Sequence, residues 1–259
     1  MLVHCKTWRE LDFPLSDSFP IIIPSFNNPT YLTRMIAQLT ALRCSNIYVF
    51  DNASTFPKML DCLDKLEHAG ITIIRSRKNI GPKFFLNRHF YASLPDIFIL
   101  TDPDLLLNTE MPENFMHKLY EVSERHKVGK VGFALDISDI KHFRQELFRI
   151  DGRDFKIWEW EKQFWQREIG LLDQVDSIYD ADIDTTFALY NKRYFDPKKC
   201  RVALRVAGRF TCKHLPWYET HGIPEDELSF YKKKQKHSYY FTKTPGFLRQ
   251  CYEKFKEPL

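Results

Sequence analysis

The sequence predicts an α/β fold: a mixed, mostly parallel sheet flanked by helices. Short apolar segments alternate with amphipathic ones over residues 18–107, which is typical of a doubly wound sheet. The apolar segments end in polar residues, at the edge where open α/β sheets bind ligands. The chain has 259 residues, enough for one large domain.

The first predicted unit is strand, helix, strand. Residues 19–24 predict a buried strand and residues 25–29 a polar turn. Apolar residues recur at helical spacing from Pro29 to Ala41, and proline suits the first position of a helix. Residues 46–50 predict the second strand, so the unit is a right-handed crossover.

The alternation continues to a fourth strand. We predict a helix at 57–69, a strand at 71–75, a basic loop at 77–83, a helix from about 84 to 94 and a strand at 97–100. No Gly-x-Gly-x-x-Gly motif follows the first strand and no Walker loop is present. A nucleotide would therefore have to bind through side chains and strand ends.

The pattern is less regular after residue 107. We predict a helix at 112–126 and a strand at 129–135, followed at 139–164 by an irregular or helical insertion rich in charged and aromatic residues. An acidic loop then leads into a strand at 186–190, and residues 201–207 predict another strand. Repeats and a low-complexity linker are absent from the sequence.

Composition excludes some functional classes. The net charge of +4 is too small to favour nucleic acid as a partner. The six cysteines have neither C-x-x-C nor zinc-site spacing, which indicates free thiols in a reducing cytoplasm. The 22 phenylalanines suit either stacking on sugars and bases or a Phe-rich core. Without a signal peptide or an 18-residue apolar run, we expect a soluble protein, at most attached to a membrane surface.

Two carboxylates follow the apolar strand at 97–100. Asp102 and Asp104 would repel each other unless a cation lay between them, and their oxygens suit Mg²⁺ or Mn²⁺. Pro103 stiffens this turn. The alternative is an ordinary strand-to-loop turn.

Four motifs in this order resemble the nucleotide-sugar-binding half of GT-A glycosyltransferases, particularly family-2-like bacterial enzymes: IPSFN at 23–27, VFDNAS at 49–54, NIGP at 79–82 and TDPD at 101–104. The resemblance covers about the first 110 residues well and the remainder loosely. It implies a GT-A (Rossmann-like) catalytic domain at 1–225, divided into a nucleotide-sugar-binding half at 18–107 and an acceptor-side half at 108–225. Residues 226–259 would form a basic helical tail.

The resemblance also implies roles for individual residues. Asp51 would contact the uracil N–H or the ribose hydroxyls, while Asn52 and Ser54 would shape the turn or contact the ligand themselves. Asp104 would bind the metal directly, with Asp102 shared between metal and ribose. The remaining implied nucleotide-sugar contacts are Pro24, Ser25, Asn27, Asn79, Gly81 and Lys83, with Arg77 as an alternative to Lys83 for the phosphates.

His214 is the third implied metal ligand, because many GT-A enzymes use a late histidine in this way. It lies in a loop stiffened by Pro216, and a structural role is the alternative. Five aromatic residues would stack on acceptor sugars or pack in the core: Trp217 and Tyr218 beside His214, and Trp158, Trp160 and Trp165.

The chemistry implied by the resemblance is cleavage of a sugar–diphosphate bond. A divalent cation would offset the charge of the departing diphosphate, and an inverting enzyme would need a carboxylate base for the acceptor hydroxyl. Asp180, Asp182 and Asp184 alternate, so an extended segment would cluster them on one face and raise the pKa of one. Asp184 is the first candidate for the base, followed by Asp182 and by the Glu225-Asp226 pair, which also suits a helix N-terminus.

The sequence thus predicts a metal-dependent glycosyltransferase that uses a nucleotide sugar, with a UDP-sugar favoured, and a glycan or lipid-linked acceptor in bacterial surface polysaccharide assembly. A nucleotidyltransferase and a non-catalytic sugar-binding protein are the alternatives. We expect a cytoplasmic protein whose basic run at 232–236 can contact the anionic face of the inner membrane.

Overall fold

The computed structural model describes residues 19–150, 152–220 and 222–234. Its strands in chain order are β1 (Ile21–Ser25), β2 (Ile47–Asp51), β3 (Thr72–Arg75), β4 (Ile97–Leu100), β5 (Leu105–Leu106), β6 (Lys130–Phe133), β7 (Phe148–Ile150), β8 (Arg153–Phe155), β9 (Glu168–Leu172), β10 (Asp176–Asp180), β11 (Ala188–Asn191), β12 (Leu204–Val206) and β13 (Lys213–His214). Its helices are α1 (Pro29–Ala41), α2 (Pro57–His68), α3 (Arg88–Ser93), α4 (Phe115–His126), α5 (Ile157–Glu161) and α6 (Glu225–Lys234).

One mixed sheet organises the described part of the chain. Its nine strands lie in the order β3-β2-β1-β4-β11-β6-β12-β10-β9. The first four are parallel, as the alternating pattern predicts. β11 is antiparallel to β4 and β6, β12 is parallel to β6, and β10 is antiparallel to both β12 and β9. All nine except β10 and β11 therefore point in the same direction, which confirms the predicted mixed, mostly parallel sheet.

The central strands of the sheet are buried on both faces. Ile21 and Ile23 of β1 pack in the larger hydrophobic cluster with α1, α2 and α4, whereas Ile22 packs in a second cluster on the other face. Aromatic rings fill much of both layers, for example Phe133 stacked on Phe187 at 4.3 Å between ring centroids. Much of the aromatic excess therefore serves the core.

One predicted helix is wrong. The segment at 84–94 divides into a 3-10 turn at Phe84–Leu86 and the short helix α3, because Asn87 between them adopts an extended backbone with φ −63° and ψ 128°. The turn allows Phe84 to bury its ring, which stacks 4.1 Å from that of Phe50.

The region after α4 also contains structure that the sequence pattern did not indicate. The antiparallel pair β9 and β10 extends the sheet at its far edge. Apolar and polar residues alternate only weakly in Glu168–Leu172, of which Leu172 alone is buried. The insertion at 139–164 contains the helix α5, which agrees with the predicted irregular or helical character, and the two-stranded β7–β8 ribbon, which was not predicted. Cys44, Cys62, Cys200 and Cys212 are free thiols, as expected.

The last described helix, α6, contacts the first turn of α1 through hydrogen bonds from Thr30 to Glu227. The predicted tail at 226–259 begins within this helix, and residues 235–259 lie outside the described residues. No helix among the described residues is both long enough and apolar enough to cross a bilayer.

Candidate active site

Asn27 connects the loops that follow β1 and β2. Its Oδ1 accepts the backbone N–H groups of Thr55 at 2.8 Å and Phe56 at 2.9 Å, and its own N–H donates to Ser54 Oγ at 2.9 Å. Its side chain is fully buried, and its Nδ2 has no hydrogen-bond partner among the described residues. Asn27 thus holds together the two loops of the predicted site, and its Nδ2 group can still donate a hydrogen bond to a ligand.

Pro24 and Ser25 lie at the end of β1, directly before this link. Both are buried. Ser25 Oγ donates to Asn28 Oδ1 at 2.7 Å, within the turn that leads into α1. Ser25 is therefore engaged in shaping this turn.

Asp51 lies at the end of β2, beside β1, and is 3% exposed. Its two carboxylate oxygens accept the Ser54 N–H at 3.2 and 3.3 Å. Burial raises the pKa of Asp51, while the hydrogen bonds from Ser54 and the charge of Arg75 act to lower it. Ser54 therefore shapes this turn, one of the two roles predicted for it, and also holds Asp51 at the sheet edge.

Asn52 holds the loop that contains Asn79 and Gly81. Asn52 Oδ1 accepts the Ile80 N–H at 3.1 Å, and its Nδ2 donates to the Gly81 carbonyl at 3.2 Å. Gly81 has a φ of 82°, a conformation that favours glycine, and its N–H donates to Asn79 Oδ1 at 2.9 Å. Three loops thus converge around the end of β2.

The structure places His214 beside Asp104. β13 pairs with β5 so that His214 is opposite Leu105, and the Leu215 N–H donates to the Asp104 carbonyl at 2.9 Å. Nε2 of His214 lies 3.5 Å from Asp104 Oδ1. This Oδ1 atom is buried and accepts no hydrogen bond from the described residues.

Asp102 has a different partner. Its Oδ2 accepts a hydrogen bond of 2.6 Å from Thr185 Oγ1, in the loop before β11. Burial raises the pKa of Asp102 well above its ordinary value, and the nearby charge of Asp104 raises it further. Burial also raises the pKa of Asp104, against the influence of His214, and lowers the pKa of His214. All three shifts disfavour the charged forms in the absence of a cation.

These side chains fit a divalent cation that takes most of its ligands from elsewhere. The described residues contain no group of three or more His, Cys, Asp or Glu side chains placed to bind a metal. Mg²⁺, however, uses one or two carboxylates and completes its shell with water and substrate phosphates. The available oxygen of Asp104 and the adjacent imidazole suit such an ion.

The predicted acidic cluster is resolved into separate ion pairs. Asp180 pairs with Arg167 at 2.6 Å and Asp182 with Arg201 at 3.3 Å, and Lys83 Nζ lies 2.7 Å from Asp184 Oδ1. Partial burial acts to raise the pKa of the half-exposed Asp184, but Lys83 and other nearby cations outweigh this effect, so that its pKa is lowered. Each carboxylate thus has its own cation, and the pKa rise predicted for one member of the cluster does not occur at Asp184.

The Glu225-Asp226 pair forms the start of α6. Asp226 lies at the surface, where its Oδ2 is 2.7 Å from Lys58 Nζ. Glu227, the next residue, is 2% exposed and accepts hydrogen bonds from Thr30 N at 3.3 Å and Thr30 Oγ1 at 2.6 Å. A small pocket lies between Glu227 and Asp104, and its walls are Asn28, Tyr31, Asp104, Ile223, Glu227 and Tyr231.

The model of glycosyl transferase family 2 matches residues 21–196, more than half of the chain. The chain belongs to glycosyl transferase family 2. The predicted resemblance and the enzyme class, a glycosyltransferase, are thereby confirmed.

Solved structures similar to this family-2 glycosyltransferase include a mannosyltransferase, PcManGT from Pyrobaculum calidifontis, in complex with GDP-Man and Mn²⁺. It shares 11% identity over 90% of this chain and 71% of that chain, with a TM-score of 0.47. TarS 1–349 from S. aureus shares 13% identity over 83% and 63%, with a TM-score of 0.45, and its complex with UDP shares 11% over 84% and 75%, with a TM-score of 0.42. The family-2 chain thus spans less than two thirds of TarS 1–349 in the first of these two TarS structures. No curated protein sequence matches it.

Trp217 and Tyr218 of this glycosyltransferase are core residues. They are 3% and 8% exposed, and their rings pack edge-on against Phe143. Trp217 also contacts the His214 ring, with 5.1 Å between centroids, so it supports the histidine beside Asp104. Trp158 packs against Phe143 from the insertion.

Sequence reasoning missed three residues that line or support the site: Thr185, Glu227 and Tyr31. Tyr31 is 3% exposed, and its hydroxyl has no hydrogen-bond partner among the described residues. The sequence did contain a signal for Glu227: it lies four residues before Tyr231, and this spacing places both residues on the same face of α6. Contacts of Thr185 with Asp102 depend on the pairing of distant strands and have no local signal.

Proposed function

We propose that this family-2 enzyme transfers a sugar from a nucleotide-sugar donor, with a UDP-sugar favoured, to a glycan or lipid-linked acceptor with the help of Mn²⁺ or Mg²⁺. The observation that carries the proposal is the pair of Asp104 and His214 at the carboxyl end of β4, with one buried Asp104 oxygen that accepts no hydrogen bond from the described residues.

The nucleoside would lie across the loops that follow β1 and β2. Asp51 would accept the uracil N–H or ribose hydroxyls, and the Asn27 amide group would donate to the same ligand. The further donor contacts proposed are Pro24, Ser25, Asn79 and Gly81. Support comes from Asn27 and Asn52, whose side chains connect three loops at this edge of the sheet.

Asp104 and His214 would bind the cation, with Asp102 beside them. When bound, the cation would offset the negative charge that develops on the departing nucleoside diphosphate. Lys83 would contribute a further positive charge to the phosphates. This arrangement needs no proton transfer to the leaving group.

Asp184 is the proposed base for the acceptor hydroxyl. It precedes Thr185, which contacts Asp102, and its side chain is 52% exposed. Lys83 keeps it ionised, and a phosphate that drew Lys83 away would leave Asp184 more basic. Asp182, Glu225 and Asp226 remain the other candidates.

Calorimetric titration with UDP, with and without Mn²⁺, tests the metal site. We expect the wild type to bind UDP at least about tenfold more tightly with Mn²⁺, equivalent to about 1.4 kcal/mol, and Asp104→Ala to abolish this gain. Asp61→Ala is the matched control, because Asp61 is an exposed carboxylate paired with Lys65 on α2. Equal UDP affinity with and without Mn²⁺ in the wild type would contradict the proposal.

Catalysis is tested by a screen of nucleotide sugars with Mn²⁺ that measures released UDP or GDP. A family-2 enzyme with the proposed activity should release UDP slowly from one UDP-sugar, and Asp184→Asn should lower the rate. Metal-dependent UDP binding without any release or transfer would instead indicate a sugar-binding protein.

We propose that the enzyme acts in bacterial surface polysaccharide assembly, such as lipopolysaccharide, capsule or exopolysaccharide, at the cytoplasmic face of the inner membrane. The exposed lysines Lys232, Lys233 and Lys234 at the end of α6 would contact anionic lipid, each contributing about 1 kcal/mol. The fraction of protein that sediments with phosphatidylglycerol vesicles should decrease when these three lysines are replaced by glutamine. No difference between anionic and neutral vesicles would disprove the membrane contact.

A further inference from the structure

Two cations hold three successive carbonyl groups in the segment before β11. Arg205 Nε donates to the Asp182 carbonyl at 2.8 Å. Lys130 Nζ donates to the carbonyls of Ile183 and Asp184, each at 2.8 Å. The two cations come from neighbouring strands, β12 and β6, so the sheet itself anchors this segment.

Lys130 is placed to act as a three-way hydrogen-bond donor. It is 1% exposed, and its third acceptor is the Cys200 carbonyl at 3.2 Å. The ring of Tyr190 lies 5.0 Å from Nζ. A buried ammonium group is costly unless all of its N–H groups are paired, and here three carbonyls match the three donors of a charged lysine.

Arg205 is balanced by Glu161 of α5. The two side chains form a buried ion pair, each 4% exposed, and the Phe164 ring lies 4.2 Å from the guanidinium carbon. The insertion at 139–164 thus supplies the counter-charge that allows a buried arginine to hold the Asp182 carbonyl.

The anchored segment leads directly to the proposed catalytic groups. Asp184 pairs with Lys83, and Thr185 donates to Asp102. We infer that Lys130 and Arg205 are positioning residues that fix the segment at 182–185, so that Asp184 and Thr185 stay beside Asp102. The catalytic part of this inference rests on the proposed function, whereas the anchoring does not.

Hydrogen exchange measured by mass spectrometry tests the anchoring. In Lys130→Met, which keeps volume but removes the donors, we expect amides at 181–187 to exchange at least about tenfold faster, with β1 and β4 unchanged. Lys192→Met is the control: its Nζ also donates to a carbonyl, that of Leu94, and lies 4.9 Å from a tyrosine ring, but at the opposite end of β4. Exchange at 181–187 equal to that of wild type would overturn the inference.

Kinetics tests the link to catalysis. With the UDP-sugar that the wild type hydrolyses, Lys130→Met should lower kcat at least about tenfold while calorimetric UDP affinity in Mn²⁺ stays within about twofold. The positioning role would be overturned if UDP affinity fell by as large a factor as kcat, or if kcat did not change. If the wild type showed no metal-dependent UDP binding, the proposed function would be refuted. The anchoring of residues 182–185 would not be affected, because hydrogen exchange tests it independently.

Arg205→Lys provides a second test should Lys130→Met not fold, as judged by circular dichroism. It keeps the charge next to Glu161 but offers a single donor nitrogen in place of Nε and Nη1, which contact the Asp182 carbonyl and Glu161 separately in the wild type. Faster exchange confined to 181–187 supports the inference. Unchanged exchange there contradicts it.

Discussion

Lys83 and Asp184 form an ion pair across the candidate site, with 2.7 Å between Nζ and Oδ1. Lys83 follows the loop that Asn52 holds, and Asp184 belongs to the segment that Lys130 holds. The pair therefore joins the loops proposed to hold the nucleotide to the acid proposed as the base for the acceptor. Each partner is also proposed to contact substrate.

Replacing Lys83 by methionine should move the acid limb of the pH–rate profile to higher pH. Lys83 lowers the pKa of Asp184, so its loss should raise that pKa, and a base is protonated below its pKa. The measurement is kcat/KM for sugar transfer or donor hydrolysis across pH. Lys78→Met, at an exposed lysine near the same loop, should leave the profile unchanged; an unmoved limb in Lys83→Met would exclude Asp184 as the base.

Asp104→Asn should stabilise the metal-free protein and abolish Mn²⁺-dependent UDP binding. The charge of Asp104 raises the pKa of the partly buried Asp102, so removing it relieves repulsion worth roughly 1 kcal/mol, about 2–4 °C in Tm. Thermal unfolding with a chelator and calorimetry with Mn²⁺ measure the two effects. A lower Tm than wild type would show that the carboxylate is structural; Asp61→Asn is the exposed control.

Asn27→Ala should lower the free energy of unfolding by about 2 to 4 kcal/mol. The substitution removes the acceptor of the buried Phe56 N–H and of the part-buried Thr55 N–H, and a buried unpaired group costs about 1–3 kcal/mol whereas a part-buried one costs less. Urea denaturation measures the change. In Asn108→Ala, which removes hydrogen bonds at an exposed turn, the loss should be below about 1 kcal/mol; equal losses would argue against the buried link.

As the pH rises above about 7, the free energy of unfolding of the wild type should increase relative to that of Lys130→Met. Burial lowers the pKa of Lys130 from 10.5 to about 7. Between these values the unfolded chain binds more protons at Lys130 than the folded one, so the free energy of unfolding rises with pH. Methionine has no proton to release. Urea denaturation at about pH 6, 7.5 and 9 measures this, and a constant difference would mean that Lys130 stays charged throughout.

Elements with a strong local pattern were predictable. The helix from Pro29 to Ala41 was predicted with the observed bounds, because its apolar spacing and its proline are both local signals. The helix predicted at 84–94 is broken, because the burial of Phe84 against Phe50 outweighs local helical preference. The strand at 168–172 gave little signal because its apolar residues are only partly buried at the sheet edge.

The order of polar residues along the sequence determined the fold class, the family and the strand ends at which Asp51 and Asp104 would lie, because parallel strands bring successive carboxyl ends to one edge. Only the tertiary structure decided the partner of each of these groups. His214 reaches Asp104 through the pairing of β13 with β5, and Thr185 reaches Asp102 across 83 residues of sequence. Such contacts depend on the register between distant strands, for which a single sequence carries no local signal.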